Sequence, residues 1–206
     1  VLSEPFRDKE NQLKKFYLPL SNKIYESFKK DKETKVIGLT GGQGSGKSTI
    51  GALLSKKMNM KFIDLDQKIE TIEKQTISQI FKLKGEKYFR AIEVKTILSL
   101  LDSKEKELVL SLGGGSILDE KVRMNIKNNS LSFWLNWKPL TIIKRIRKSS
   151  KRPLIQGLND QEIQKMMLDR NKYYSKSNFK IDCDNHKKNE IVDRIVSILK
   201  KNEIKS

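Results

Sequence analysis

The 206-residue chain has one cysteine and one histidine, which removes several chemistries at the outset. A lone thiol, Cys183, excludes an intramolecular disulfide and fits a reducing compartment. The lone imidazole, His186, lies in the polar stretch Asp184-Asn185-His186-Lys187-Lys188 and reads as a surface position. No Cys/His cluster with zinc-site spacing is present, and no Ser/His/Asp triad can be built around His186. Long apolar runs are missing too: none approaches the roughly 20 residues that cross a bilayer, and no secretory signal is visible. A cytoplasmic protein without a membrane partner is expected. Acidic residues are outnumbered, 25 against 43 Lys and Arg, for a net charge of +18. That balance suits RNA, DNA or an anionic membrane surface. The lysines are scattered, however, and no aromatic–basic interleaving of the base-stacking kind accompanies them. The charge therefore reads as a solvated surface, and nucleic acid is not an expected partner.

Apolar residues make up only 36% of the chain and charged ones 33%, yet periodic apolar segments continue to its end, which argues against disorder. The most informative segment is Val36-Ile-Gly-Leu-Thr-Gly-Gly-Gln-Gly-Ser-Gly-Lys-Ser-Thr49. From Gly41 to Ser48 it fits G-x-x-x-x-G-K-[ST], the phosphate-cradling loop between a strand and a helix. Glycines let successive backbone N–H groups turn toward one anion, and the following helix adds its positive end. Lys47 would reach the outer phosphates and the Ser48 hydroxyl a magnesium ion. A nucleoside triphosphate is the expected ligand.

Short β-like runs alternate with helical ones on either side of this loop. Strands are predicted at 36–40, 61–64, 108–112, 131–135 and 179–183. Helices are predicted at 47–58, 76–84, 86–101, 120–128, 139–148, 160–174 and 189–200. The alternation implies an α/β fold, a three-layer αβα arrangement around a five-stranded parallel sheet, with ligands at the carboxyl ends of the strands. Residues 1–34 form an extension in which Leu20, Ile24 and Phe28 suggest a short amphipathic helix after Pro19. Glu4, Asp8 and Glu10 argue against a transit peptide there. The remainder, 35–206, reads as one domain.

Five further constellations carry chemistry. Asp64 and Asp66 end the second strand; in strand geometry they share a side. One would support magnesium and the other a substrate hydroxyl, or either would cap a helix beginning near Gln67. No Asp ends the third strand, so Asp64 is the better candidate for the metal. Arg90 sits beside an apolar face formed by Phe89, Ile92, Ile97, Leu100 and Leu101. It is either a surface residue or a carboxylate ligand held by Glu93 one turn on. The third strand ends in Gly113-Gly114-Gly115, which suits close approach of main chain to a ligand. The basic stretch from Lys144 to Arg152 reads as a mobile lid or a nucleic-acid patch. Arg170 closes a helix before the last strand and can reach back over the site.

Together these segments resemble the shikimate kinase family, of the nucleoside-monophosphate-kinase-like group of P-loop enzymes, over roughly residues 36–200. The family's Asp-x-Asp matches Asp64-Leu65-Asp66, and its Gly-Glu-x-x-Phe-Arg-x-x-Glu matches Gly85 to Glu93. Its triple glycine, Arg-Pro-Leu lid and Arg-x-x-x-Tyr match Gly113–Gly115, Arg152-Pro153-Leu154 and Arg170–Tyr174. The P-loop itself is spelled more like that of dephospho-coenzyme A kinase, and Ile155 stands where the family usually has Leu. The resemblance implies ATP and Mg2+ as cofactors and shikimate as the phosphoryl acceptor; a monomer is expected. It implies that Gly44, Ser45, Gly46, Lys47, Ser48 and Thr49 hold the phosphates, with Arg145 against the adenine and Ser48 and Asp64 on the metal. Arg90 and Arg170 would hold the shikimate carboxylate, and Asp66, Gly113, Gly114 and Gly115 would contact its ring. Lys47, Asp66 and Arg152 would act on the transferring group. It further places a substrate-binding region at about 65–105 and the lid at about 145–158. Another small-molecule kinase, acting on dephospho-coenzyme A or gluconate, stays open, as does a nucleic-acid-binding protein with a regulatory nucleotide site.

Overall fold

A computed structural model describes residues 36–102, 107–147 and 157–204. The expected helix after Pro19 and most of the expected lid, Arg152 included, lie outside the described residues. Five strands, β1 (Val36–Thr40), β2 (Lys61–Asp64), β3 (Leu108–Ser111), β4 (Leu131–Asn136) and β5 (Phe179–Asp182), form one sheet in the order β2-β3-β1-β4-β5. Every pairing is parallel. In register, Ile37 of β1 faces Val109 of β3 and Leu131 of β4.

The sequence dictates two cores because side chains alternate across a strand. On one face Val36, Leu108, Leu110 and Trp134 pack with residues of helices α2 (Leu65–Glu73), α3 (Ile77–Asp102) and α4 (Glu120–Asn129). On the other, Ile37, Leu39, Val109, Phe133 and Leu135 meet α1 (Lys47–Met58) and α7 (Lys188–Ile204). Helices α5 (Pro139–Arg147) and α6 (Asp160–Tyr174) share a third, smaller cluster around Ile142, Ile146 and Ile163. The three-layer αβα fold expected from the alternation is thus the one observed. No described helix is long and apolar enough to cross a membrane.

Two departures bear on the site. The helices expected at 76–84 and 86–101 run end to end as α3, broken only at Gly85, whose φ of 79° and ψ of 171° are not helical. Helix α2 starts at Leu65, two residues before the expected Gln67. Strand geometry therefore stops at Asp64, and Asp66 turns with the first helical turn instead of sharing a strand face with Asp64. The cause is the Asp64 side chain, which accepts hydrogen bonds from the backbone N–H groups of Asp66 (3.1 Å) and Gln67 (3.4 Å) and so caps the helix.

Candidate active site

Because the sheet is parallel, β1, β2 and β3 deliver the glycine loop, the Asp64–Asp66 turn and the triple glycine to one edge. In the loop, Gly44 and Gly46 have φ of 84° and 85°, the left-handed backbone that makes the cradle. Gly46 caps α1 without a side chain, so the first-turn N–H groups keep their capacity for an anion. Ser48 and Thr49 are exposed in that turn. The Lys47 ammonium, largely buried, donates to the carbonyls of Gly41 (2.9 Å) and Gly42 (3.1 Å) and lies across the loop. A helix start without a side-chain cap and with an ammonium over it suits a polyphosphate.

Asp66 is open to water on one side and crowded by protein on the others. Its carboxyl is pushed up to about 6, first by lost hydration, then by the Asp64 carboxylate, with Lys47 pulling the other way. This is a carboxylate poised near working pH and close enough to the loop lysine to feel its charge.

Arg90 is gripped from its own helix. Nη1 donates to Glu93 at 2.7 Å, while Nε and Nη2 donate to Glu86 at 3.3 and 3.1 Å. Glu93 is buried, 1% exposed, and its other oxygen accepts from Ser116 Oγ at 2.7 Å. The triple glycine is explained by these groups. A Cβ on Gly113 would land on the Glu93 carboxylate, and one on Gly115 would sit 2.6 Å from Arg90 Nη1. A Cβ on Gly114 would come 3.2 Å from the backbone nitrogen of Gln43 in the phosphate loop. The glycines therefore let three protein groups close on one another, a demand that the sequence reading assigned to a ligand.

Arg170, half-buried on the last turn of α6, borders a cavity of about 20 Å³ together with Gly42, Gln43 and Tyr174. The buried Tyr174 hydroxyl donates to the Gly114 carbonyl at 2.5 Å. Burial pushes this phenol up to about 12, against the pull of Arg170 and Arg90 nearby, so it remains a donor at any working pH. Tyr174→Phe strands that carbonyl and should cost about 1–3 kcal/mol of stability, measured by denaturant unfolding; an unchanged midpoint would show that the bond contributes nothing.

The structure thus gathers Lys47, Asp64, Asp66, Arg90, Gly113–Gly115 and Arg170 around one strand edge. Arg145 lies on α5, its guanidinium 3.6 Å from the ring centre of Trp137. Two supporting residues escaped the sequence reading: Ser116, whose only signal was its place after the glycines, and Trp137, which offered none.

Comparison with known proteins follows this geometry. The family model described as shikimate kinase matches residues 43–200. A shikimate kinase of Bartonella henselae is 36% identical over 181 residues, covering 87% of this chain and 85% of its own. One from Persephonella marina is 38% identical over 160 residues, covering 78% of this chain and 96% of its own. Among solved structures, a shikimate kinase from Acinetobacter baumannii in complex with shikimate gives a TM-score of 0.77 at 27% identity, covering 85% of this chain and 98% of that one.

Proposed function

This chain belongs to the shikimate kinase family, and from that membership we propose that it moves the γ-phosphoryl group of ATP to the 3-hydroxyl of shikimate, giving shikimate 3-phosphate and ADP. The observation that supports the reading best is the convergence of Lys47, Asp66 and the Arg90–Glu93 pair on the edge where the phosphate loop ends.

Gly44, Ser45, Gly46, Lys47, Ser48 and Thr49 hold the phosphates of ATP, and Arg145 lies against the adenine. Arg90 and Arg170 bind the acceptor's carboxylate, fixing a small anion at two points. The backbone of Gly113, Gly114 and Gly115 lies along its ring. Asp66 takes the proton of the 3-hydroxyl as that oxygen bonds to the γ-phosphorus and the bond to the ADP oxygen breaks. Lys47, with Arg152 from the lid, offsets the charge on the transferring group. Ser48 and Asp64 offer oxygen donors, the chemistry magnesium takes, and would hold it; when bound, the ion would neutralise phosphate charge. The Asp64 oxygen that caps α2 is committed there, so its second oxygen would be the one left to hold the ion, directly or through water.

A coupled ADP-release assay with shikimate, gluconate and dephospho-coenzyme A as separate acceptors tests this. Turnover is expected with shikimate alone. Absence of shikimate-dependent ADP release at millimolar acceptor would overturn the assignment.

A further inference from the structure

We propose that Trp137 is a positioning residue of the nucleotide site, holding the phosphate loop by its indole edge and Arg145 by its indole face. The inference rests on the kinase reading above but concerns only its nucleotide half.

Trp137 follows β4, where the chain turns into α5. Its Nε1–H donates to the Ser45 carbonyl in the middle of the glycine loop, 2.9 Å away and 92 positions distant in sequence. Ser45 is 1% exposed, and its own hydroxyl has no hydrogen-bond partner among the described residues. The loop's midpoint is therefore tied to the body of the protein through its main chain. Trp137 provides that tie.

On the indole face lies the guanidinium of Arg145, its carbon 3.6 Å from the ring centre. This is face-on cation–π contact. Two residues on, Arg147 pairs with Asp160 at 2.7 Å, whereas Arg145 has no carboxylate partner among the described residues. The turn that carries Trp137 is itself pinned. Asp184 accepts from the Lys138 backbone N–H and the Thr141 hydroxyl, each at 2.6 Å.

A free arginine side chain loses much rotamer entropy when it orders on a ligand. Held flat on an indole beforehand, it presents its outer face as a planar cation at reduced cost. A purine stacked there extends the series indole, guanidinium, base. The consequence is specific: Trp137 governs affinity for the nucleotide, since its polar and ring contacts among the described residues go to Ser45 and Arg145 and not to Asp66, Arg90 or Arg170, the last of which shares the small cavity it lines.

Calorimetric binding of ADP, without acceptor, provides the test. Trp137→Phe keeps a ring but loses the N–H donor, and Trp137→Leu loses both. Kd for ADP should rise about 3-fold in the first and about 10-fold in the second, with KM for ATP following and KM for shikimate little changed. Unchanged ADP affinity in both variants, or equal rises in both KM values, would overturn the proposal. Should the Leu variant fail to fold, Trp134→Phe leaves Trp137 as the only tryptophan. ADP should then shift its emission, and a flat titration counts against the stack. Because ADP binding is read without acceptor, normal binding with no shikimate turnover would refute the acceptor assignment and leave this inference standing.

Discussion

Asp66→Asn is expected to lower kcat for shikimate phosphorylation by about 10²- to 10⁴-fold, the usual contribution of a positioned general base, with ATP affinity retained. The wild-type pH profile should reveal the group. With its carboxyl pushed up to about 6, Asp66 is half protonated at that pH, and kcat/KM for shikimate should fall below it. The Asn variant should lack this acid limb. Stability should move oppositely. From the ordinary 3.8 up to about 6, the folded state holds a proton that the unfolded state has released, so stability falls as pH rises through that window. Above it the folded protein carries an unfavourably placed carboxylate, and Asp66→Asn should melt higher than wild type at neutral pH. Near pH 4 the two should converge. An acid limb that survives in the Asn variant would assign the titration to another group.

What makes Asp66 tunable was only partly legible in the sequence. Strand positions followed from short apolar runs, which β1 and β3 need because both their faces are covered: Val36, Leu108 and Leu110 face one core while Ile37, Leu39 and Val109 face the other. The phosphate loop followed from glycine spacing. The start of α2 did not, because capping turns on where one carboxylate oxygen points. Asp64 and Asp66 look alike in sequence, yet one is the cap and the other rides the first helical turn. The triple glycine was visible as a close approach, but what approaches was not. Glu93 and Arg90 lie about twenty residues upstream, and only tertiary packing brings them to Gly113 and Gly115. Trp137 reads as one more apolar residue after a strand. Its bond to Ser45 links segments whose proximity depends on the β1–β4 pairing.

Arg90→Ala should raise KM for shikimate by about 10²-fold, the loss expected for a charge-assisted, two-pronged contact, and leave KM for ATP nearly unchanged. The asymmetry comes from placement. Arg90 lies on α3 and contacts Glu86 and Glu93, whereas the phosphate loop is held by Lys47 and Trp137. Arg90→Lys should rescue little, since an ammonium cannot grip Glu93 and a substrate carboxylate with the geometry of a planar fork. Removing the guanidinium also leaves the buried Glu93 carboxylate with the Ser116 hydroxyl as its one hydrogen-bond partner among the described residues, so a lower unfolding midpoint is expected as well. Glu93→Gln separates the two effects. It keeps the arginine and the bond to Ser116 but loosens the grip, so KM for shikimate should rise less than in Arg90→Ala, with kcat lowered as the acceptor is held less firmly. Initial rates with each substrate varied against saturating levels of the other decide the matter. Equal losses in both KM values for Arg90→Ala would mean that the guanidinium supports the whole site and does not hold the acceptor's carboxylate.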